Sequence, residues 1–131
     1  MTEQDLISFF HVGISLHNFN KKAEREFGIS LVQWRLLKQL IDMPAVSAFN
    51  LAKAVGVHPS TLTQTLRRLE IKKYIFIAED PKDSRKKVIS LTRQGKNILD
   101  RVEIQIGEWK VNLLPVREDL LRVRTLLDEK S

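Results

Sequence analysis

Apolar residues follow a helical period along most of this chain and lose it only between 74 and 91. Over 3–26, Leu6, Phe9, Phe10, Gly13, Leu16 and Phe19 recur at helical spacing and predict a first helix. Ile7, Val12 and Ile14 widen its apolar face beyond what one core contact needs. Such a helix wants two burial surfaces, so part of it is expected to meet another subunit. Gly28 stands at the expected stop. Ser30 is a good N-cap for a second helix over 31–41, with Trp34, Leu37, Leu40 and Ile41 as its stripe and Met43-Pro44 as its end. Trp34 fits the core better than a ligand pocket. Ser47 suits the N-cap of a short third helix, 48–55, expected to bury Phe49, Leu51, Ala52 and Val55. Gly56 supplies a tight turn, Val57 is expected in the core, and Pro59 suits the first position of a fourth helix, 59–72.

That fourth helix carries a narrow apolar stripe of Leu62, Leu66 and Leu69. At about 100° per residue its opposite face presents Ser60, Gln64, Arg67 and Arg68, with Thr61 and Thr63 on the flanks. Ile71 falls there too, in the last turn, and no acidic residue appears before Glu70. Hydroxyls and backbone N–H groups at a helix start hold phosphate, and an amide such as that of Gln64 matches adenine in the major groove. Taken alone, the face is equally compatible with a merely solvated one.

The following segment tips the balance. Two short apolar runs, 74–78 and 88–91, flank a charged turn and predict a hairpin. The tip reads Asp80-Pro81-Lys82-Asp83-Ser84-Arg85-Lys86-Lys87, and Asp80-Pro81 is a turn signal. A basic β-tip beside a recognition helix enters the neighbouring minor groove, where the potential is most negative. Arg85 is the candidate for that contact, with Asp83 close enough to orient its guanidinium. Lys86 and Lys87 are candidate phosphate contacts. An Asp83–Arg85 pair serving only the turn is the structural alternative, and it is compatible with DNA contact. Thr92 reads as the N-cap of a long helix over 93–112, in which Ile98, Val102, Ile106, Trp109 and Leu113 repeat. Pro115 starts a last helix striped by Val116, Leu120, Val123 and Leu127, with Leu121 beside them. Together these helices carry more apolar surface than one small domain covers, and a second subunit would bury it.

Charge sharpens this picture. The 131 residues carry a formal net charge of +6, which suits an anionic partner. Twelve Lys and Arg against five Asp and Glu fall within 50–101, whereas the rest of the chain has ten against eleven. The absence of cysteine excludes disulfides, thiolate metal sites and thiol catalysis. The apolar run 6–16 is broken by Ser8, His11 and Ser15 and preceded by Glu3 and Asp5, so neither a signal peptide nor a membrane span is expected, and the expected location is cytoplasmic. His11 and His17 fall on different helix faces, so no metal site is expected. No phosphate loop, carboxylate pair or marked triad suggests an enzyme.

The matching motifs are Leu51-Ala52-Lys53 through Gly56-Val57, then Ser60-Thr61-Leu62-Thr63 to Arg68-Leu69-Glu70. Asp80-Pro81-Lys82-Asp83-Ser84-Arg85 leads into Leu91-Thr92-Arg93-Gln94-Gly95, and Gly28-Ile29-Ser30 with Gln33-Trp34 opens the second helix. In these motifs the chain resembles the MarR family of winged helix-turn-helix transcriptional regulators. The likeness covers 28–95 by motif and the whole chain by helix order. It departs at Gln64, where members often carry a basic residue, at Ser84, where a second arginine is common, and at His58, where Ser is more usual. The resemblance implies a mostly α fold with a small β-hairpin wing, forming one integrated domain. Its parts would be an N-terminal dimerisation helix (1–29), a winged helix-turn-helix (30–92, wing 74–91) and C-terminal dimerisation helices (93–131). It also implies a cytoplasmic homodimer, usually a repressor, on pseudo-palindromic double-stranded DNA, with no cofactor but release by a small, often aromatic or anionic, effector. By position, Ser60, Thr61, Thr63 and Gln64 fall at the major groove and Arg85 on the wing tip. The competing expectation is a winged helix that binds protein, which predicts an acidic or apolar wing or recognition face.

Overall fold

The computed structural model describes residues 1–129; of the expected C-terminal region 93–131, residues 130 and 131 lie outside the described residues. Helix α1 (Glu3–Phe27) begins at Thr2, whose hydroxyl accepts the Asp5 N–H at 3.2 Å while the Asp5 carboxylate accepts the Thr2 N–H at 2.8 Å. This reciprocal cap satisfies two backbone donors that a helix start otherwise leaves open. The Thr2 backbone N–H first, and then its side chain, hold the Asp5 carboxyl below its usual range. Gly28 ends α1 at φ 82°, a left-handed conformation that side-chain-bearing residues rarely take. A second reciprocal cap, Ser30 with Gln33, opens α2 (Leu31–Asp42).

Helix α3 (Ala48–Val55) and α4 (Pro59–Ile71) form the helix-turn-helix, joined at Gly56. Strands β1 (Ile75–Asp80) and β2 (Asp83–Leu91) pair antiparallel as the wing. Val46 adds a third strand-like partner: it exchanges both backbone hydrogen bonds with Ile89, at 3.2 and 2.7 Å. The hairpin is thereby fastened to the connection between α2 and α3. Helix α5 (Arg93–Gly107) follows, then a 3-10 turn (Leu114–Val116) and α6 (Arg117–Asp128).

The core lies beneath α4. Leu62, Leu66 and Leu69 are buried with Leu36, Leu37 and Leu40 of α2, Leu51 of α3, Ile75 and Ile89 of the wing, and Ile98, Leu99 and Val102 of α5. Val55, Val57 and Trp34 pack against it, partly buried. Several expectations are corrected. Phe49 is 70% exposed, because α3 is too short to bury more than Leu51 and Ala52 along one line. Ile41 is also exposed; Gln33 and Leu36 join Leu37 and Leu40 on the buried side of α2. Helix α5 stops at Gly107 rather than 112. Trp109 instead folds back to stack on Phe27 at 4.9 Å and to meet Phe19 edge-on at 5.5 Å. The last helix begins at Arg117, two residues beyond Pro115, which lies within the preceding 3-10 turn. Both strands outrun their apolar runs, so Pro81 and Lys82 alone make the turn and Asp83, Arg85, Lys86 and Lys87 belong to β2.

At the wing base, the Thr92 N–H donates to the Tyr74 carbonyl at 3.1 Å, and the Thr92 hydroxyl accepts the Gly95 N–H at 3.0 Å. A Cβ on Gly95 would lie 2.2 Å from the Tyr74 carbonyl oxygen and 2.6 Å from Leu91 Cδ1. One of these is backbone, so the first turn of α5 must move to make room. Gly95→Ala is expected to destabilise the fold by about 1–3 kcal/mol, read as a lower urea midpoint; an unchanged midpoint would show that the wing base yields freely.

Candidate nucleic-acid interface

Burial of one face of α4 fixes the other. Ser60, Thr61, Thr63, Gln64, Arg67 and Arg68 are all exposed, as the helical period requires. His58 stands at the N-cap and its Nδ1 accepts the Ser60 N–H at 3.1 Å, with the Ser60 hydroxyl 2.8 Å away. The unusual cap therefore does the work of a hydroxyl. Thr63 turns its hydroxyl back onto the Pro59 carbonyl at 3.1 Å, leaving its oxygen as an acceptor. The side chains of Gln64, Arg67 and Arg68 have no hydrogen-bond or ion-pair partner among the described residues. Their donors are free for an outside acceptor.

The wing supplies a second basic edge. Glu79 pairs with Lys87 and Asp80 with Asp83, so 84–86 form a bulge near the start of β2. Bulges increase twist and re-aim side chains. Within it, Asp83 Oδ1 accepts the Arg85 Nε–H and the Arg85 backbone N–H, both at 3.1 Å, and Oδ2 accepts from Nη2 at 3.4 Å. The Arg85 side chain is nevertheless 89% exposed. Its guanidinium is oriented without being hidden. The Arg85 side-chain bond, then its backbone N–H, hold the Asp83 carboxyl below the usual carboxylate range. Lys86 and Lys87 are exposed alongside.

Helix and wing meet across a cleft of about 570 Å³, where Thr63 and Arg67 face Lys87 over a floor that includes Leu66 and Ile89. Glu70 and Glu79 also line it. The structure thus brings together α4 and the lower wing, and holds Arg85 out at the tip. Two features were not visible in the sequence: the Val46–Ile89 bridge that anchors the wing, and Lys72, whose ammonium bonds Gly28 and Gln33 far up the chain. Neither has a local signal, since both depend on pairing across long separations.

Away from this face, a mostly apolar hollow of about 920 Å³ lies between α1 and the segment after α5, lined by residues that include Leu16, Phe19, Trp109 and Leu113. His11 and Lys22 are its titratable groups, and the Lys22 ammonium sits 4.7 Å from the centre of the Trp109 ring. A smaller apolar cavity of about 200 Å³ adjoins Phe27, Leu31, Trp34 and Val102. Among the described residues, no helix is long and apolar enough to cross a membrane and no three metal-ligating side chains converge.

The sequence profile of the MarR family matches residues 27–86. The homoprotocatechuate degradative operon repressor of Escherichia coli is 28% identical over 102 residues, which are 78% of this chain and 62% of that repressor. The chain therefore spans less than two thirds of that relative's length. Among solved structures, a MepR-like protein complexed with pseudoligands aligns with a TM-score of 0.71 at 28% identity, over 97% of this chain and 94% of that one. Reduced AbfR bound to DNA aligns at 0.78 and 21% identity, over 96% and 92%, a likeness of fold.

The wing-tip pair gives a pH expectation. A carboxyl held low in the folded chain contributes its interaction above its unfolded value and loses it as pH falls through the folded value. The Asp83 carboxyl resonance is expected to titrate below that of an exposed aspartate and to move up in Arg85→Ala; an unmoved titration would mean the guanidinium does not hold the pair.

Proposed function

We infer from the match of residues 27–86 to the MarR family that this chain is a DNA-binding transcriptional regulator, a homodimeric repressor of pseudo-palindromic duplex DNA released by a small ligand. The observation that carries this is the pairing of an unpartnered Gln64–Arg67–Arg68 face with an oriented, exposed Arg85, all within the cationic segment 50–101. Ser60, Thr61, Thr63 and Gln64 are assigned to the major groove, Arg85 to the minor groove, and Arg67, Arg68, Lys86 and Lys87 to phosphates. Asp83 positions Arg85. A regulatory role accords with the relatives, whose names describe a repressor and a transcriptional regulator; a cytoplasmic location and the lack of catalysis belong to the same proposal.

The dimer is supported by apolar surface that one chain leaves open. In α1, Leu6, Phe10, Val12 and Leu16 are exposed, and α6 buries none of its residues. Contiguous apolar area of this kind on a soluble protein marks an association surface. Within the regions 1–29 and 93–131, the exposed stretch of α1 and helix α6 are therefore assigned to dimerisation, while Phe27 and the buried face of α5 belong to the core. The hollow between α1 and Trp109 offers apolar walls with His11 and Lys22 as polar groups, which suits an aromatic anion as effector.

Arg85→Ala is expected to weaken duplex binding by about 1–3 kcal/mol in a fluorescence anisotropy titration, with the dimer intact by sedimentation. Equal affinity for the two proteins would take the wing out of the mechanism. For the wild type, the logarithm of affinity should fall linearly and steeply with that of salt, as expected when several phosphates are neutralised. Salt-insensitive association with a protein, and no duplex binding, would identify a protein-interaction module instead. At saturation, the dimer should protect half-sites about 10 bp apart, one helical turn; protection of a single half-site would contradict the twofold arrangement.

A further inference from the structure

We propose that Lys72 couples the recognition helix α4 to the junction between α1 and α2, so that docking on DNA and the state of that junction are energetically linked. This rests on the DNA-binding function inferred above and names how that site is connected to the rest of the chain. Lys72 is the C-cap residue of α4. Its ammonium reaches across 44 residues of sequence to donate to the Gly28 carbonyl at 3.0 Å, and across 39 to donate to Gln33 Oε1 at 3.4 Å. Among the described residues, no other side chain of α4 or its caps hydrogen-bonds to α1 or α2.

Both acceptors are structural joints. Gly28 is the left-handed residue that closes α1, so its carbonyl lies at the negative end of that helix, where a cation is favoured. Gln33 is buried, and its Oε1 already accepts the Ser30 N–H at 3.1 Å to open α2. One amide oxygen thus serves the start of α2 and the end of α4 together. The next residue is held from the opposite side. Lys73 sits at φ 64°, and its carbonyl accepts the Thr92 hydroxyl at 2.6 Å at the start of α5. Helix α5 returns to α1 through Gln105 Nε2, which donates to the Glu26 carbonyl at 3.2 Å. The end of α4 is therefore tethered at once to the α1–α2 junction and to α5.

The Lys72 side chain is exposed, so its two bonds add little to global stability; their consequence is position. An ammonium committed to two protein acceptors is also not a free phosphate contact. The same junction walls the small apolar cavity through Phe27, Ile29, Ser30 and Leu31. Any displacement there moves the acceptors of Lys72, and coupling of this kind acts equally in both directions.

Hydrogen–deuterium exchange on the full chain tests this, alone and with a duplex of roughly 30 bp, about three helical turns, enriched from a random pool by the wild-type protein at low salt. In the wild type, amides of 27–33 should gain protection together with those of α4. In Lys72→Met, α4 should still gain protection, 27–33 should not, and affinity should fall about fivefold or more with an unchanged salt slope. Lys72→Arg, which keeps a charged donor of similar reach, should retain the junction response. Protection of 27–33 in Lys72→Met equal to the wild type would overturn the coupling. So would a salt slope smaller by about one unit, the signature of a lost phosphate contact. Failure of the wild type to bind any duplex at low salt would overturn the DNA-binding function itself, and the coupling with it.

Discussion

Everything presented on the outer face of α4 depends on how firmly its inner face is seated. Leu62, Leu66 and Leu69 meet α2, α3 and the wing in one continuous apolar seam. Three leucines and the buried Thr65 on a 13-residue helix leave the opposite face to solvent. Burying a leucine side chain contributes about 1.5–3 kcal/mol, so the seam outweighs the preference of any one exposed side chain for another orientation. The angular positions of Gln64, Arg67 and Arg68 follow from that seating and need no interaction of their own. A recognition surface built this way is free to vary in sequence without disturbing the fold.

The legibility of the chain divides along the same line. Local signals read well: Ser30, Ser47 and Thr92 all cap as their side-chain chemistry suggests, and Gly28 and Gly56 both adopt left-handed φ. What failed was anything decided by a distant partner. Phe49 is apolar, but apolar type does not say which side of a two-turn helix faces the core. The period of Ile106, Trp109 and Leu113 continues past Gly107, yet the indole gains more by stacking on Phe27 than by extending the helix. The residues 79–87 look like a loop because charged residues are poor strand formers; cross-strand pairing, together with the clamp of Val46 on Ile89 lower down, overrides that propensity. No pattern in the sequence could have joined Lys72 to Gly28 and Gln33.

The molecule has two unlike halves. Around α4 the core is closed and polar groups face out. Around the first two thirds of α1 and all of α6, large apolar side chains face out instead. The boundary between them runs through the Phe19–Phe27–Trp109 cluster and the α1–α2 junction, where the larger hollow and the smaller cavity also lie. A ligand bound at such a boundary touches the elements that a second subunit would hold on one side and those that carry α4 on the other. That placement would give the proposed regulation a physical path, because the joints at Gly28, Gln33 and Lys72 sit on it.

The acidic residue beside the wing-tip arginine raises an electrostatic question: a carboxylate near DNA repels phosphate. An exposed ion pair stabilises a fold little, so the Asp83–Arg85 contact is poorly explained as a stabilising feature. Its geometry suggests another effect. Asp83 accepts from both Nε and Nη2 of one guanidinium and from the same residue's backbone N–H, which fixes the side chain along its stem. The guanidinium has five N–H donors in a rigid plane, and two are used by Asp83. The three others remain on an exposed plane. A long, freely rotating side chain loses rotamer entropy when it docks in a groove; one already held does not lose it again. The cost of the nearby negative charge is set against that saving, and salt screening diminishes the repulsion between exposed charges more than it diminishes the pre-set geometry.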